Sequence, residues 1–298
     1  MKMYNTENLK GILPAVVTPV DENEIFAPAA YEALLEKIYT AGVDGIYVCG
    51  QTGEGPLQTV NQRKKVAEAS VACSPKGKQV IVHVGSHRTE DAVDLARHAS
   101  RIGATAVSAL PPGGVYPFAE ILAYYREIAR ACTVPFLVYY FPDTCPAIKT
   151  AEQILDLCAI PGVVGLKFTD FDLYRMRILK QHDVVLYNGR DEILVAGLLM
   201  GADGGIGTFY NVLPDLFVDL FKRTQQNDWT GARAVQDRIN KIIEITLRFP
   251  ALPAVKQTLR WMGIACGECI RPRQRLTEEQ ARDLKIQLTG AGLDLGKE

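Results

Sequence analysis

Eight short apolar runs, each followed by an amphipathic stretch, constrain this chain more than any other feature. They are Ile12–Thr18, Gly45–Cys49, Val80–His83, Ala106–Ala109, Phe136–Tyr140, Val164–Lys167, Val184–Asn188 and Gly204–Gly207. Most are rich in β-branched residues and all are poor in charge, the pattern of strands covered on both faces. The intervening stretches read as helices. Ala30–Ala41 places Leu34, Leu35 and Ile38 on one side, Gln62–Ala72 follows Thr59, and Thr89–Ile102 and Ala119–Ala131 repeat the pattern. Thr59 with Gln62 and Thr150 with Gln153 have the capping-box form, and Gly42, Gly103 and Gly201 stand where helices should stop.

Eight strand–helix units predict an α/β fold, a (β/α)8 TIM barrel, which typically needs about 250 residues. An open doubly wound sheet is the alternative, but no Gly-x-Gly-x-x-Gly follows the first strand. Beyond about residue 212 the strand signals stop, and Pro214–Arg223, Trp229–Arg248, Pro253–Met262 and Thr277–Leu288 read as helices, the last behind a Thr277–Gln280 capping box. The first closes the barrel and the rest exceed what one barrel helix requires. The expected organisation is a barrel over 1–228 and a small C-terminal helical cap over 229–298.

Composition narrows the function. A net charge of −1 gives no basic excess for nucleic acid or an anionic membrane. The longest apolar run, Ile193–Ala202, falls far short of the roughly 20 residues that span a bilayer. Met1–Lys10 holds no apolar segment of the signal-peptide kind, so a cytoplasmic location is expected. Seven scattered cysteines fit a reduced chain better than a disulfide framework. Cys266 and Cys269 form a lone CxxC with no second pair or nearby histidine to complete a zinc site. No metal is expected.

Functional groups of a barrel gather at the C-terminal ends of its strands. The second strand ends in Gly50-Gln51-Thr52-Gly53-Glu54-Gly55, where converging N–H groups suit an anion, although a glycine turn needs no ligand. The fifth ends in Tyr139 and Tyr140, which suit packing or a proton relay. The sixth, within Gly162-Val163-Val164-Gly165-Leu166-Lys167-Phe168-Thr169-Asp170, ends in a lone lysine. A lysine there snorkels to solvent, pairs with a carboxylate, or, in a dry mouth, serves as an amine nucleophile toward a ketone. The seventh leads through Gly189 to Asp191 and Glu192, a carboxylate pair suited to sugar hydroxyls or equally to the first turn of a helix. The eighth is glycine-rich and runs into Thr208, Tyr210 and Asn211. His83, inside a strand, reads as a satisfied core histidine. Together these groups suit a 2-keto acid aldolase that works through a lysine imine.

The stretch from Gly165 to Asp170, Asp172 to Tyr174, Tyr187 to Glu192, Gly201 to Thr208 and Tyr210-Asn211 resembles the pyruvate-dependent class I lyases related to dihydrodipicolinate synthase, and the likeness covers nearly the whole chain. It is strongest to the members that split sialic acid reversibly into pyruvate and N-acetylmannosamine. The resemblance implies that Lys167 forms the imine, Tyr139 shuttles protons, and Gln51 and Thr52 hold the keto-acid carboxylate. It further implies that Thr169, Gly189, Asp191, Glu192 and Thr208 hold the sugar chain. No metal or organic cofactor is implied; a homotetramer is. The alternatives are an aldolase for another 2-keto-3-deoxy sugar acid and a catalytically silent sugar-acid binding protein.

Departures from the family pattern are specific. Gln51 stands where serine or threonine is common, and Tyr140 where asparagine or histidine is common. The loop Pro111–Tyr116 lacks the family's tyrosine pair and leaves Tyr116 as the candidate partner of the relay. Asp143-Thr144-Cys145 replaces an arginine that clamps a second carboxylate in the synthases.

Overall fold

The structure, a computed structural model, describes residues 4–296. Eight strand–helix pairs follow one another: β1 (Gly11–Pro14) and α1 (Pro28–Thr40), β2 (Gly45–Val48) and α2 (Val60–Cys73), β3 (Gln79–His83) and α3 (Thr89–Arg101), β4 (Ala106–Ala109) and α4 (Phe118–Ala131). The second half is β5 (Phe136–Tyr140) and α5 (Ala151–Cys158), β6 (Val163–Phe168) and α6 (Leu173–Leu179), β7 (Val185–Asn188) and α7 (Leu194–Leu199), β8 (Gly204–Gly207) and α8 (Pro214–Gln225). Three helices follow: α9 (Trp229–Thr246), α10 (Ala251–Trp261) and α11 (Glu278–Gly290).

The strands are parallel and ordered β1-β8-β7-β6-β5-β4-β3-β2. A parallel bridge between Ala15 and Tyr47 joins the two ends, with the Val16 N–H donating to the Tyr47 carbonyl at 2.9 Å. The ring therefore closes as the expected (β/α)8 barrel.

Alternation along each strand sorts the side chains into two apolar sets. Leu13, Tyr47, Ile81, Leu137, Tyr139, Tyr187 and Ile206 fill the interior. Ile12, Ile46, Val82, Val138, Leu166 and Phe168 face outward and pack with the helices, in a cluster that continues through Ile239, Leu259 and Leu284 of α9–α11. Among the described residues no helix is long and apolar enough to cross a membrane.

Two sequence expectations change. The first strand ends at Pro14 rather than Thr18, because β8 stops at Gly207 and turns into a 3-10 segment over Phe209–Asn211. The Asn211 carboxamide replaces the missing ladder: Nδ2 donates to the Ala15 carbonyl at 2.7 Å and Oδ1 accepts from the Val17 N–H at 3.2 Å. The second concerns the Thr59 cap. Its hydroxyl accepts from the Gln62 N–H, but the Gln62 side chain turns to the Glu24 carbonyl and the Phe26 N–H instead of closing the box. The boxes at Thr150 and Thr277 close reciprocally.

One buried ion pair ties the β2 loop to α10. Glu54 and Lys256 meet at 2.7 Å with both side chains essentially inaccessible. Glu54 also accepts from the Ile270 N–H at 2.8 Å, and Lys256 donates to the Glu268 carbonyl at 2.8 Å. Arg273 Nε approaches the other Glu54 oxygen only to 3.8 Å, beyond hydrogen-bond reach, so stripping Lys256 leaves a poorly compensated buried charge. Lys256→Met is therefore expected to cost about 3–5 kcal/mol in urea unfolding, with much of it recovered by adding Glu54→Gln. A single-variant loss below about 1 kcal/mol would contradict this role for the pair.

Candidate active site

Lys167 is the inward residue near the end of β6, since Leu166 and Phe168 on either side face the helices. In the ladder it lies between Tyr139 of β5 and Tyr187 of β7. Its side chain is 4% exposed, so it does not snorkel to bulk solvent. Nζ sits 4.2 Å from the Tyr139 ring centroid and 4.6 Å from that of Tyr47.

The Tyr139 ring is fixed from several sides. Tyr47 and His83 meet it edge-on at 6.1 Å each, and Phe141 lies nearly parallel to it at 6.2 Å. The Tyr47 hydroxyl donates to Ser108 Oγ at 3.2 Å and the Tyr187 hydroxyl to Gln79 Oε1 at 2.7 Å. His83 Nε2 accepts from the Leu110 N–H at 3.0 Å. Burial pushes the His83 imidazole well below its usual range, and the charges of Arg63 and Lys167 push the same way. His83 is thus a neutral, satisfied core histidine, as its place in the sequence suggested.

The β2 loop has the form of an anion nest. Cys49 and Glu54 take left-handed backbone conformations at φ 59° and 54°. Gly55 cannot carry a side chain, because a Cβ would lie 1.8 Å from the Cys49 carbonyl oxygen. The Gly53 carbonyl is pinned by the Thr18 hydroxyl and by Gln58 Nε2. Among the described residues no carbonyl accepts from the N–H groups of Gln51, Thr52 or Gly53. Thr52 Oγ1 and Thr208 Oγ1 share a 2.7 Å hydrogen bond, which brings the β2 and β8 loops together. Gln51, Thr52 and Thr208 also line a cavity of about 390 Å³ against Leu252 and Arg273.

The loops after β6 and β7 interlock. Thr169 is buried, and its Oγ1 has no hydrogen-bond partner among the described residues. Gly189 covers it, and a Cβ there would lie 2.0 Å from that hydroxyl. Asp191 is also buried, and its Oδ2 accepts from the Phe209 N–H at 2.7 Å. Burial pushes the Asp191 carboxyl up to about 7 and the Glu192 charge adds to the rise, while N–H groups of Phe209 and Thr208 and the Lys167 charge pull it down. From α9, Gln236 donates to the Asp191 carbonyl and Asn240 to the Glu192 carbonyl, each at 3.0 Å.

Some positions lie elsewhere than the sequence suggested. Tyr140 points outward, packs on Phe168 at 5.2 Å and donates to Asp170 at 3.3 Å, so its departure from the family pattern falls outside the barrel interior. Tyr116 packs against the outer helical cluster rather than Tyr139. A guanidinium does reach the β5 loop, but from β7: Arg190 pairs with Asp143 at 2.9 Å. Tyr47 was also not singled out in the sequence. Alternation in Gly45-Ile46-Tyr47-Val48 would have placed it with the inward set.

Residues 8–291 match the model of the dihydrodipicolinate synthetase family. An N-acetylneuraminate lyase of Rhizobium meliloti is 34% identical over 281 residues, 93% of each chain. One of Escherichia coli is 37% identical over 285 residues, 93% of this chain and 95% of its own. A catalytic lysine mutant of the Ruminococcus gnavus sialic acid aldolase superposes with a TM-score of 0.92 at 28% identity, covering 97% of this chain and 98% of its own. With a barrel closed around one buried lysine and a family match spanning nearly its whole length, the chain belongs to the dihydrodipicolinate synthetase family.

Proposed function

We propose that this protein is a class I aldolase that cleaves N-acetylneuraminate reversibly to pyruvate and N-acetylmannosamine through an imine on Lys167. One observation carries the reading: a buried amine near a strand end, inside a closed barrel, 4.2 Å from the ring centroid of a tyrosine. Two lyases of that name at 34% and 37% identity support the substrate. The catalytic lysine of the Ruminococcus gnavus aldolase supports the chemistry.

In this reading the substrate carboxylate sits on the nest at Gln51 and Thr52. After giving up a proton, the Lys167 amine attacks the keto carbon and water leaves, giving the imine. A base takes the proton from the hydroxyl next to the scissile bond. That carbon–carbon bond breaks, its electrons pass to the imine nitrogen, and the aldehyde sugar departs. The enamine is then protonated at carbon and water releases pyruvate. Tyr139 carries the protons in both directions. Thr169, Gly189, Asp191, Glu192 and Thr208 hold the sugar chain, and the unpartnered Thr169 hydroxyl is suited to that task. The expected cap over 229–298, of which 297 and 298 lie outside the described residues, braces Asp191 and Glu192 through Gln236 and Asn240 of α9. The homotetramer implied by the family resemblance and the cytoplasmic location expected from the sequence belong to the same reading.

Turnover of N-acetylneuraminate beside other 2-keto-3-deoxy sugar acids tests the substrate. Pyruvate release is expected to be fastest from N-acetylneuraminate, and a clear preference for another sugar acid would contradict the reading. Tyr139→Phe should lower kcat about 100-fold or more while KM changes little. Normal turnover would remove the relay role. Asp191 adds a pH signature. Its carboxyl is raised in the folded state, so the native protein holds a proton that the unfolded chain loses, and stability falls as pH rises from about 4 to about 7. Urea midpoints of wild type measured against Asp191→Asn should show that fall and then level off. A difference constant with pH would contradict it.

A further inference from the structure

We propose that Arg190 is a positioning residue for Tyr139, acting through Phe141. The inference rests on the reading of Tyr139 as the proton relay and extends it to a residue that does not touch the reacting atoms.

Five contacts link Arg190 to Lys167 across the barrel mouth. The Arg190 guanidinium carbon lies 4.5 Å from the Phe171 ring centroid and 5.2 Å from that of Phe141, so two loops present aromatic faces to one cation. Nη2 pairs with Asp143 at 2.9 Å. Phe141 in turn lies at 11° to the Tyr139 ring, and Tyr139 carries Lys167 Nζ on its face. The arm has a fixed root, since the Arg190 carbonyl accepts from Asn188 Nδ2 at 2.6 Å and Asn188 is wholly buried.

The Arg190 side chain is 21% exposed, and its Nε is buried with no partner among the described residues. Packing and the Asp143 pair therefore hold the guanidinium. Asp143 sits in a tight turn in which the Thr144 N–H donates to the Phe141 carbonyl at 3.0 Å. Holding Asp143 thus holds Phe141. A planar guanidinium is suited to this because its face can lie against a ring while its fixed edge pairs with a carboxylate, a geometry that the compact ammonium of lysine does not fix. Its charge is already met by Asp143, so the residue acts as a brace for the sugar-side wall and not as a clamp for a second substrate carboxylate.

Steady-state kinetics on the full-length enzyme with N-acetylneuraminate test this. Arg190→Gln should lower kcat about 10-fold to 100-fold, as expected when a reacting group is slightly misplaced, with KM changed less than about twofold. Arg190→Lys should rescue only part of the loss, and Phe141→Leu should reproduce it. Asp143→Asn should act in the same direction, and the Asp143→Asn, Arg190→Gln pair should be no worse than Arg190→Gln alone, because both remove one contact. Thermal unfolding midpoints should stay within about 4 °C of wild type. Wild-type kcat in Arg190→Gln, full rescue by Arg190→Lys, additive losses in the pair, or a kcat loss that only tracks a collapse in stability would overturn the proposal. So would a loss confined to 2-keto acid substrates that bear a second carboxylate, which marks an anion clamp. A wild-type protein that releases no pyruvate from N-acetylneuraminate would instead overturn the functional reading beneath it.

Discussion

Burial of one lysine among aromatic faces is the constraint on which the rest of the structure depends. Lys167 enters the barrel because strand alternation turns it inward, and there it meets the rings of Tyr139 and Tyr47. A buried cation is costly, and π faces offset only part of that cost. A barrel interior is otherwise filled with apolar side chains, as the Leu13, Ile81, Leu137 and Ile206 layers are here. The chain tolerates an amine in that place because eight strands and their helices over-determine the position of its backbone.

The loops above the barrel are built to stay still. The β2 nest is pinned by Thr18 and Gln58, joined to the β8 loop through Thr52 and Thr208, and anchored to α10 by the buried Glu54–Lys256 pair. Asn211 closes the seam between β1 and β8. On the other side, Gln236 and Asn240 of α9 hold the carbonyls of Asp191 and Glu192. The helices after the barrel therefore reach the rim through backbone contacts as well as through the outer apolar cluster.

How much of this was legible in the sequence follows from which interactions are local. The strands were readable because both faces are buried, so Phe136–Tyr140 or Ala106–Ala109 stand out as apolar runs with the observed bounds. Lys167 and Tyr139 stand at or next to the ends of such runs, and the β5–β6 ladder sets them side by side. Where a distant side chain decides, local pattern failed. The end of β1 depends on Asn211 nearly two hundred residues away, and Gln62 abandons its capping box for the chain around Glu24 and Phe26. Arg190 and Asp143 lie 47 residues apart on separate loops, so no spacing rule joins them, and an arginine missing from the β5 turn arrives from β7.

Every role proposed for the site follows from an imine between Lys167 and a keto acid. Incubating the protein with pyruvate and borohydride, then locating the modified residue by peptide mass spectrometry, tests it most directly. One lysine should carry the label, at position 167, and Lys167→Ala should carry none. An unlabelled wild-type protein, or label that persists in that variant, would contradict it.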